Sequence, residues 1–300
     1  MIKMIARRNA QTGKCMKITG RNKREIAYGA LALIGFVILL AVTYRDRDSQ
    51  GSDALPKQQV QVVVFGDSVM GQTRDETSIP NQLAKLLDKT VFNAALGGTC
   101  MGRSDEERRM GFTKDSLSMV GLAEAIAARD FGVQQTARIR ENATEYFNDT
   151  IDEMENIDYD SVELFLIACG VNDYHHPIPI YAEDNPYDEY TFTGALRNVI
   201  KELQQACPDA RIVLITPTYT WYTTRNLTCE EYNTGGGLLE EYVEAELAVA
   251  KELGIEIIDL YHDVYPHETW EDWQLYTLDG LHPNEAGRTL LAETIASYLK

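Results

Sequence analysis

A serine early in the chain and an Asp/His pair near its end are the side chains with the clearest chemical potential. Ser68 lies in the segment Gly66-Asp67-Ser68, and Asp279 precedes His282 by three residues. A serine hydroxyl is nearly inert at neutral pH unless an adjacent base takes its proton. His282 can be that base if a carboxylate such as Asp279 holds its other ring nitrogen. These side chains predict acyl transfer through a serine nucleophile.

Two further segments carry groups that could stabilise the negative charge which develops on the carbonyl oxygen during such an attack. Residues 93–98 end in a glycine pair, and Gly170-Val171-Asn172-Asp173 contains a carboxamide. Preorganised N–H donors stabilise an oxyanion, and a glycine has no Cβ to block the approach of a substrate. The backbone amides of Ser68 and Gly98 and the side chain of Asn172 are therefore the expected donors.

Apolar runs and helical patterns alternate in the region that contains these segments. The predicted strands are residues 60–65, 91–96, 162–168, 211–216 and 255–260. Helical spacing is present at residues 195–203 and 238–247, with Gly254 ending the second helix, and Asn284 is placed to cap a last helix. Strands that are apolar on both faces and separated by helices predict a parallel sheet covered on both sides. Ligands bind at the carboxyl edge of such a sheet, where these segments would meet.

In this order, the four segments resemble the signature blocks of the SGNH (GDSL-type) hydrolase family, over about residues 59–300. The resemblance implies an α/β fold, a flavodoxin-like three-layer α/β/α sandwich with a mostly parallel five-stranded sheet. It also implies hydrolysis or transfer of acyl esters. The usual leucine after the serine is Val69 here, a change that we expect to be neutral.

Carried over from the family, the site residues are a nucleophile, a base and three oxyanion donors. Ser68 is then the nucleophile, and His282 is the base with Asp279 behind it. The oxyanion hole comprises Ser68, Gly98 and Asn172. Gly97 is the alternative to Gly98, and the spacing from the asparagine that opens this block favours Gly98.

Each assignment has a competing interpretation. Ser68 could merely cap the following helix, and Asp279 with His282 could be a surface turn. His262-Asp263 is a rival Asp/His pair after the fifth predicted strand.

Three residues beside the third block need an interpretation of their own. Asp173 is expected to brace its loop. His175 and His176 directly follow and could border the pocket or bind a metal, but no third ligand appears at a useful spacing. We therefore expect no metal and no cofactor.

The charge of the chain is divided unevenly. The formal net charge is −18, yet residues 1–25 carry eight basic side chains and one acid, so the remainder is at about −25. Such a surface repels phosphate backbones, so we expect no nucleic-acid partner.

Residues 26–44 are uncharged and predict a single transmembrane anchor. At 1.5 Å per residue this stretch spans a hydrocarbon core of about 30 Å. The positive-inside tendency places residues 1–25 in the cytoplasm as a basic tail, and residues 45–58 form a polar linker to an extracellular domain at residues 59–300. A cleaved signal peptide and a buried core helix are the alternatives. The four cysteines of the outer part permit three complete disulfide pairings, and their spacing does not choose among them.

Aromatic residues are frequent in the loops that would surround the site, at residues 174–190, 218–232 and 270–276. Such rings can stack on sugars or hold an acyl chain, and ordinary loop packing is the alternative. Together with an outward-facing location they favour a monomeric esterase that removes short acyl groups, such as acetyl, from a small-molecule or glycan ester. An O-acyltransferase that uses the same acyl-enzyme, and a catalytically silent glycan-binding module, are the other hypotheses.

Overall fold

A parallel sheet of five strands forms the centre of the computed structural model, which describes residues 56–104, 117–136 and 146–300. The predicted tail and anchor, and all but residues 56–58 of the predicted linker, lie outside the described residues. Residues Lys57–Lys300 form one unit.

The described strands number nine, of which five belong to the central sheet. They are β1 Gln58–Gln59, β2 Val62–Gly66, β3 Val91–Asn93, β4 Ile157–Asp158, β5 Leu164–Ala168, β6 Arg211–Ile215, β7 Trp221–Tyr222, β8 Leu227–Thr228 and β9 Glu256–Ile258. All neighbours in the central sheet are parallel, in the order β3-β2-β5-β6-β9. Short strands β1 and β4 pair with each other, and β7 and β8 form an antiparallel hairpin.

The described helices number ten, with two short 3₁₀ turns at Tyr159–Ser161 and Trp270–Asp272. They are α1 Ser68–Gly71, α2 Ile79–Leu87, α3 Met119–Ala128, α4 Gly132–Thr136, α5 Tyr146–Glu155, α6 Val171–His175, α7 Phe192–Ala206, α8 Leu239–Leu253, α9 Trp273–Tyr276 and α10 Glu285–Leu299.

The five predicted strands are confirmed, each shortened by one to three residues. Strand β2 is fully buried along its length because its residues are apolar on both faces of the sheet. The second predicted strand ends at Asn93 rather than Leu96, since the Asn93 side chain accepts a hydrogen bond from Ala95 N (3.1 Å) and turns the chain. The predicted helix signals also hold: Asn284 caps α10 by accepting from Gly287 N (2.9 Å), and α8 ends at Gly254.

The order of the central strands creates a crevice at one edge of the sheet. After β2 the chain adds β3 on one side and then crosses to β5 on the other, which is the flavodoxin-like order with β2 and β5 at the reversal point. Ligands bind at the carboxyl ends of the strands where the order reverses. The serine block follows β2 and the asparagine block follows β5, so both open onto this crevice.

Helices cover both faces of the central sheet. Because parallel crossovers are right-handed, the crossover through α2 and the crossovers through α3, α7 and α8 lie on opposite faces. The packing agrees, since α2 contacts α10 while α7 contacts both α3 and α8.

The cysteines of the described residues, Cys100, Cys169, Cys207 and Cys229, are buried thiols.

Within the described residues no helix has both the length and the apolar character needed to cross a bilayer.

The carboxyl group of Glu246 lies in the core without a hydrogen bond from the described part of the chain to stabilise a negative charge. Glu246 on α8 is fully buried, and neither of its carboxyl oxygens has a hydrogen-bond partner among the described residues. Burial, followed by the charges of Asp173 and Asp259, raises the pKa of Glu246 well above its usual range. The folded protein therefore holds a proton on Glu246 that the unfolded chain releases at neutral pH.

Glu246→Gln should change how stability depends on pH. Because the folded state binds one proton more than the unfolded state above the ordinary glutamate pKa, parental stability falls as pH rises through the window up to the raised pKa. Glu246→Gln removes this dependence, so its stability relative to the parent should grow from pH 5 to pH 8 in urea unfolding. Glu293→Gln, an exposed substitution on α10, is the control. A parallel pH dependence in parent and Glu246→Gln would contradict a protonated Glu246.

Candidate active site

Ser68 stands at the point where β2 ends and α1 begins. Asp67 caps this short helix by accepting a hydrogen bond from Val69 N (2.8 Å), so the interpretation of Ser68 as the cap is wrong. Burial raises the pKa of Asp67 to about 6, although the Val69 bond and the charge of His282 act against this rise. The cap leaves the Ser68 hydroxyl available for a contact across the crevice.

The predicted serine, histidine and aspartate form one hydrogen-bonded chain. Ser68 Oγ lies 2.9 Å from His282 Nε2, and His282 Nδ1 lies 2.8 Å from Asp279 Oδ2. An ionised carboxylate can only accept, so Nδ1 carries the ring proton and Nε2 accepts from the Ser68 hydroxyl. This is the arrangement in which a histidine can take a proton from serine.

The Asp279 carboxylate is fixed by its own turn. Its Oδ1 accepts from the backbone amides of Leu281 (3.0 Å) and His282 (2.8 Å). Partial burial acts to raise the pKa of Asp279, but hydrogen bonds from the ring and amide of His282 outweigh it, and the pKa falls below its usual value. Asp279 therefore stays ionised through the whole neutral range and into mildly acidic solution.

The hairpin of β7 and β8 holds the Asp279–His282 turn in place. Trp221 N donates to Gly280 O (2.9 Å), and the Thr223 hydroxyl donates to Asp279 O (3.0 Å). Gly280 has φ +99°, and a Cβ there would stand 2.1 Å from Trp221 O. Only a glycine permits this close approach, so the turn and the hairpin are matched to each other.

The two remaining blocks lie against each other beside Ser68. Gly97 N donates to the hydroxyl of Tyr146 (3.2 Å), which argues against the alternative of Gly97 as the oxyanion donor. Gly98 has φ +81°, and a Cβ there would meet nothing within 4 Å. The glycine is thus needed for its left-handed backbone rather than to avoid a clash.

Asn172 and Asp173 tie the third block to the second. One N–H of the Asn172 side chain donates to Thr99 O (3.3 Å), so its second N–H is the one that can serve an oxyanion. Asp173 is fully buried and accepts from Met101 N (2.7 Å) and Gly102 N (2.9 Å). It therefore braces the loop as the sequence predicts.

His175, the last residue of α6, is a neutral imidazole at neutral pH. Its Nε2 lies 2.8 Å from the hydroxyl of Tyr222. Burial, followed by the charges of His176 and His282, lowers the pKa of His175 to about 4. Within the described part of the chain, no three His, Cys, Asp or Glu side chains are arranged to hold a metal ion.

The alternative prediction that His262 pairs with Asp263 is wrong. His262 Nδ1 bonds to Asp259 Oδ2 (2.6 Å), and Glu244 lies 3.8 Å from its Nε2. Asp263 is exposed. The hydroxyl of Ser68 meets His282 instead.

A family comparison agrees with this arrangement of blocks. The model of the GDSL-like lipase/acylhydrolase family matches residues 64–290, well over half of the chain. The chain belongs to this family. The resemblance seen in the sequence is therefore confirmed, and as a GDSL-type acylhydrolase the protein is a carboxylic ester hydrolase. No curated protein matches the sequence.

Solved structures share the fold of this GDSL-type hydrolase. One is 24% identical and has a TM-score of 0.60, with 80% of this chain and 96% of that chain covered. A protein from Lactobacillus plantarum is 20% identical, with a TM-score of 0.56 and 81% and 97% covered. A possible lipase from Chitinophaga pinensis DSM 2588 is 18% identical, with a TM-score of 0.51 and 80% and 97% covered. At these identities the likeness shows the fold alone.

Several residues that shape the site of this GDSL-type hydrolase were missed by the sequence analysis. Arg74 and Tyr146 contact the second block, and Trp221 and Thr223 hold the Asp279 turn. None of them lies in a signature block. Trp221 lies in one of the aromatic-rich loops, but no local signal indicates its contact with Gly280, 59 positions later.

Asp279→Asn should lower kcat by about 10²- to 10³-fold, because an amide cannot hold the His282 ring in the required tautomer as the carboxylate does. The loss should be smaller than for a buried aspartate, since the Asp279 side chain is 52% exposed. Steady-state hydrolysis of a nitrophenyl ester measures it. Asp259→Asn makes the same change in the Asp259–His262 turn, whose histidine does not contact Ser68. The kcat of this control variant should stay within about twofold of the parent. Equal losses in both variants would show that the turn matters only structurally.

Proposed function

We propose that the protein is a serine esterase that cleaves short acyl esters, of about acetyl size, carried on carbohydrate. Ser68 is the nucleophile, His282 the general base and Asp279 the group that orients it. The observation that carries this proposal is the 2.9 Å contact between Ser68 Oγ and His282 Nε2, with an ionised Asp279 on the other ring nitrogen.

In the proposed reaction, His282 Nε2 takes the hydroxyl proton as Ser68 Oγ attacks the ester carbonyl carbon. The amides of Ser68 and Gly98 and the Asn172 side chain stabilise the oxyanion. Collapse of this intermediate breaks the bond to the alcohol oxygen, which receives the proton from His282. A water molecule, deprotonated by His282, then attacks the acyl-enzyme, and the acid leaves as Ser68 regains its proton.

A small apolar cavity whose lining includes Val69 and Leu281, the sequence neighbours of Ser68 and His282, supports a short acyl group. The cavity has a volume of about 20 Å³, little more than one water molecule or one methyl group needs. Its lining residues come from α1, from the end of β5 and the residues after it, from the loops after β6 and β9, from the turn before His282 and from α10. They include Val69, Ala168, Pro217, Leu260 and Leu281. An acetyl methyl suits this space, whereas a long acyl chain does not.

Exposed tyrosines on the loop between α6 and α7 support a carbohydrate carrier. Residues Tyr181, Tyr187 and Tyr190 are 62%, 47% and 55% exposed, although burial of an aromatic ring is favourable. This loop follows the asparagine block, and its Glu189 is bonded to Arg103, just beyond the second block. Exposed rings near such a crevice provide faces on which a sugar ring can stack. Tyr219 and Trp221, in contrast, are buried and serve packing.

The proposed location is the outer face of a membrane, with residues 26–44 as anchor. The charge-free stretch and the basic residues before it support this location. An enzyme held there would meet the glycans that surround a cell.

A series of nitrophenyl esters tests the proposed chemistry. The acetate should be cleaved at least about tenfold faster than the octanoate, because the cavity excludes long chains. Ser68→Ala should lower kcat by at least about 10³-fold. Release of acetate from an acetylated oligosaccharide tests the carrier. Faster cleavage of the octanoate, or an active Ser68→Ala, would overturn the proposal.

Removal of residues 1–44 tests the proposed location. The full chain should sediment with membranes and resist extraction by alkaline carbonate, whereas residues 45–300 should be soluble. Both forms should have the same kcat/KM, because the described domain holds all the proposed site residues. Full-length protein in the soluble fraction would contradict the anchor.

A further inference from the structure

The loop that carries Gly98 is held by a tyrosine from a distant part of the chain. Tyr146, at the start of α5, accepts a hydrogen bond from Gly97 N through its hydroxyl (3.2 Å). The hydroxyl lies close to the nucleophile: a Cβ on Gly97 would be 3.3 Å from Tyr146 Oη and 3.7 Å from Ser68 Cβ. The peptide next to the expected oxyanion donor is thus fixed from the side that faces Ser68.

The ring of Tyr146 is fixed in turn by an arginine. The Arg74 guanidinium stacks over this ring, 4.1 Å from its centroid. It also donates to three backbone carbonyls: Gly71 O (2.9 Å), Asn93 O (2.7 Å) and Ala95 O. Gly71 ends the helix of the nucleophile and the other two lie in the Gly98 block, so Arg74 joins these two blocks directly.

We propose that Tyr146 is a positioning residue for the Gly98 loop, with Arg74 holding its ring. By fixing the Gly97 peptide, the Tyr146 hydroxyl keeps the Gly98 amide aimed at the carbonyl oxygen of an ester attacked by Ser68. This inference rests on the proposed function, in which Gly98 is an oxyanion donor.

The physical need for such a support comes from the loop itself. Residues Gly97 and Gly98 have no side chains to pack, and Gly98 adopts a left-handed backbone conformation. An oxyanion donor lowers the activation free energy most when its direction is set before the reaction. If the donor had to reorient during the reaction, the free energy of that reorientation would offset the stabilisation of the transition state. The Tyr146 hydroxyl supplies this constraint through the amide of the neighbouring Gly97.

Tyr146→Phe tests the proposal because it removes the hydroxyl and keeps the ring over Arg74. We expect kcat for nitrophenyl acetate to fall on the order of tenfold, less than the 10²–10³-fold of a deleted donor, with KM unchanged within about twofold. The inhibition constant of an alkyl boronic acid, whose tetrahedral serine adduct resembles the charged intermediate, should rise by the same factor. Tyr298→Phe, at an exposed position of α10, is the matched control and should equal the parent in both measurements.

The outcomes separate this inference from the function on which it rests. Parental kcat in Tyr146→Phe, or a lowered kcat with unchanged boronate affinity, would overturn the positioning role. Ser68→Ala is measured in parallel. If Ser68→Ala is inactive while Tyr146→Phe is parental, only the present inference fails; if Ser68→Ala stays active, the proposed function fails and the inference with it.

Discussion

The hydrogen bond between Ser68 and His282 joins residues that are 214 positions apart. Each partner is held by different elements: the serine by β2 and α1, the histidine by the turn before α10. Helix α10 packs on α2, and Arg288 of α10 donates to Thr77 O (3.0 Å) and to the Thr77 hydroxyl (2.8 Å) in the loop after the nucleophile. The Ser68–His282 hydrogen bond is lost if the two atoms separate beyond about 3.5 Å, so it depends on the packing of α2 against α10.

Buried carboxylates hold the loops at this edge of the sheet. Asp67 caps the nucleophile helix, and Asp173 binds two amides of the Gly98 loop. Backbone N–H groups in tight loops cannot pair with a neighbouring strand, and a buried carboxylate satisfies two of them at once. Ionised Asp67 and Asp279 also favour the positive charge that His282 gains when it takes the serine proton, so loop architecture and catalysis use the same groups.

The features predicted from sequence are those whose signals are local. Strands of four or five apolar residues, the Asn284 cap and the glycine end of α8 each depend on neighbours in the chain. The four blocks were found because parallel strands deliver their following residues to one edge. Arg74 and Tyr146 could not be found in this way, since their roles exist only after two loops and a distant helix have met. For Gly98 the structure adds a second reason that the sequence did not show, a left-handed backbone with φ of +81°.

Two turns among the described residues have the same local design, and they show together what the turn alone provides. In each, an aspartate accepts from the two amides that follow at i+2 and i+3 and bonds to the ring of the histidine at i+3: Asp259 with His262, and Asp279 with His282. Adjacency in the sequence suggests a pair of His262 with Asp263, but the aspartate that bonds to the ring is three residues earlier, as it is at Asp279. The His262 ring lies between two carboxylates, and its hydrogen bond to Asp259 raises its pKa, which favours an ion pair. The His282 ring meets a serine hydroxyl. The turn therefore sets the orientation of an imidazole, and the group that tertiary structure places on its second nitrogen decides whether the imidazole can act as a base.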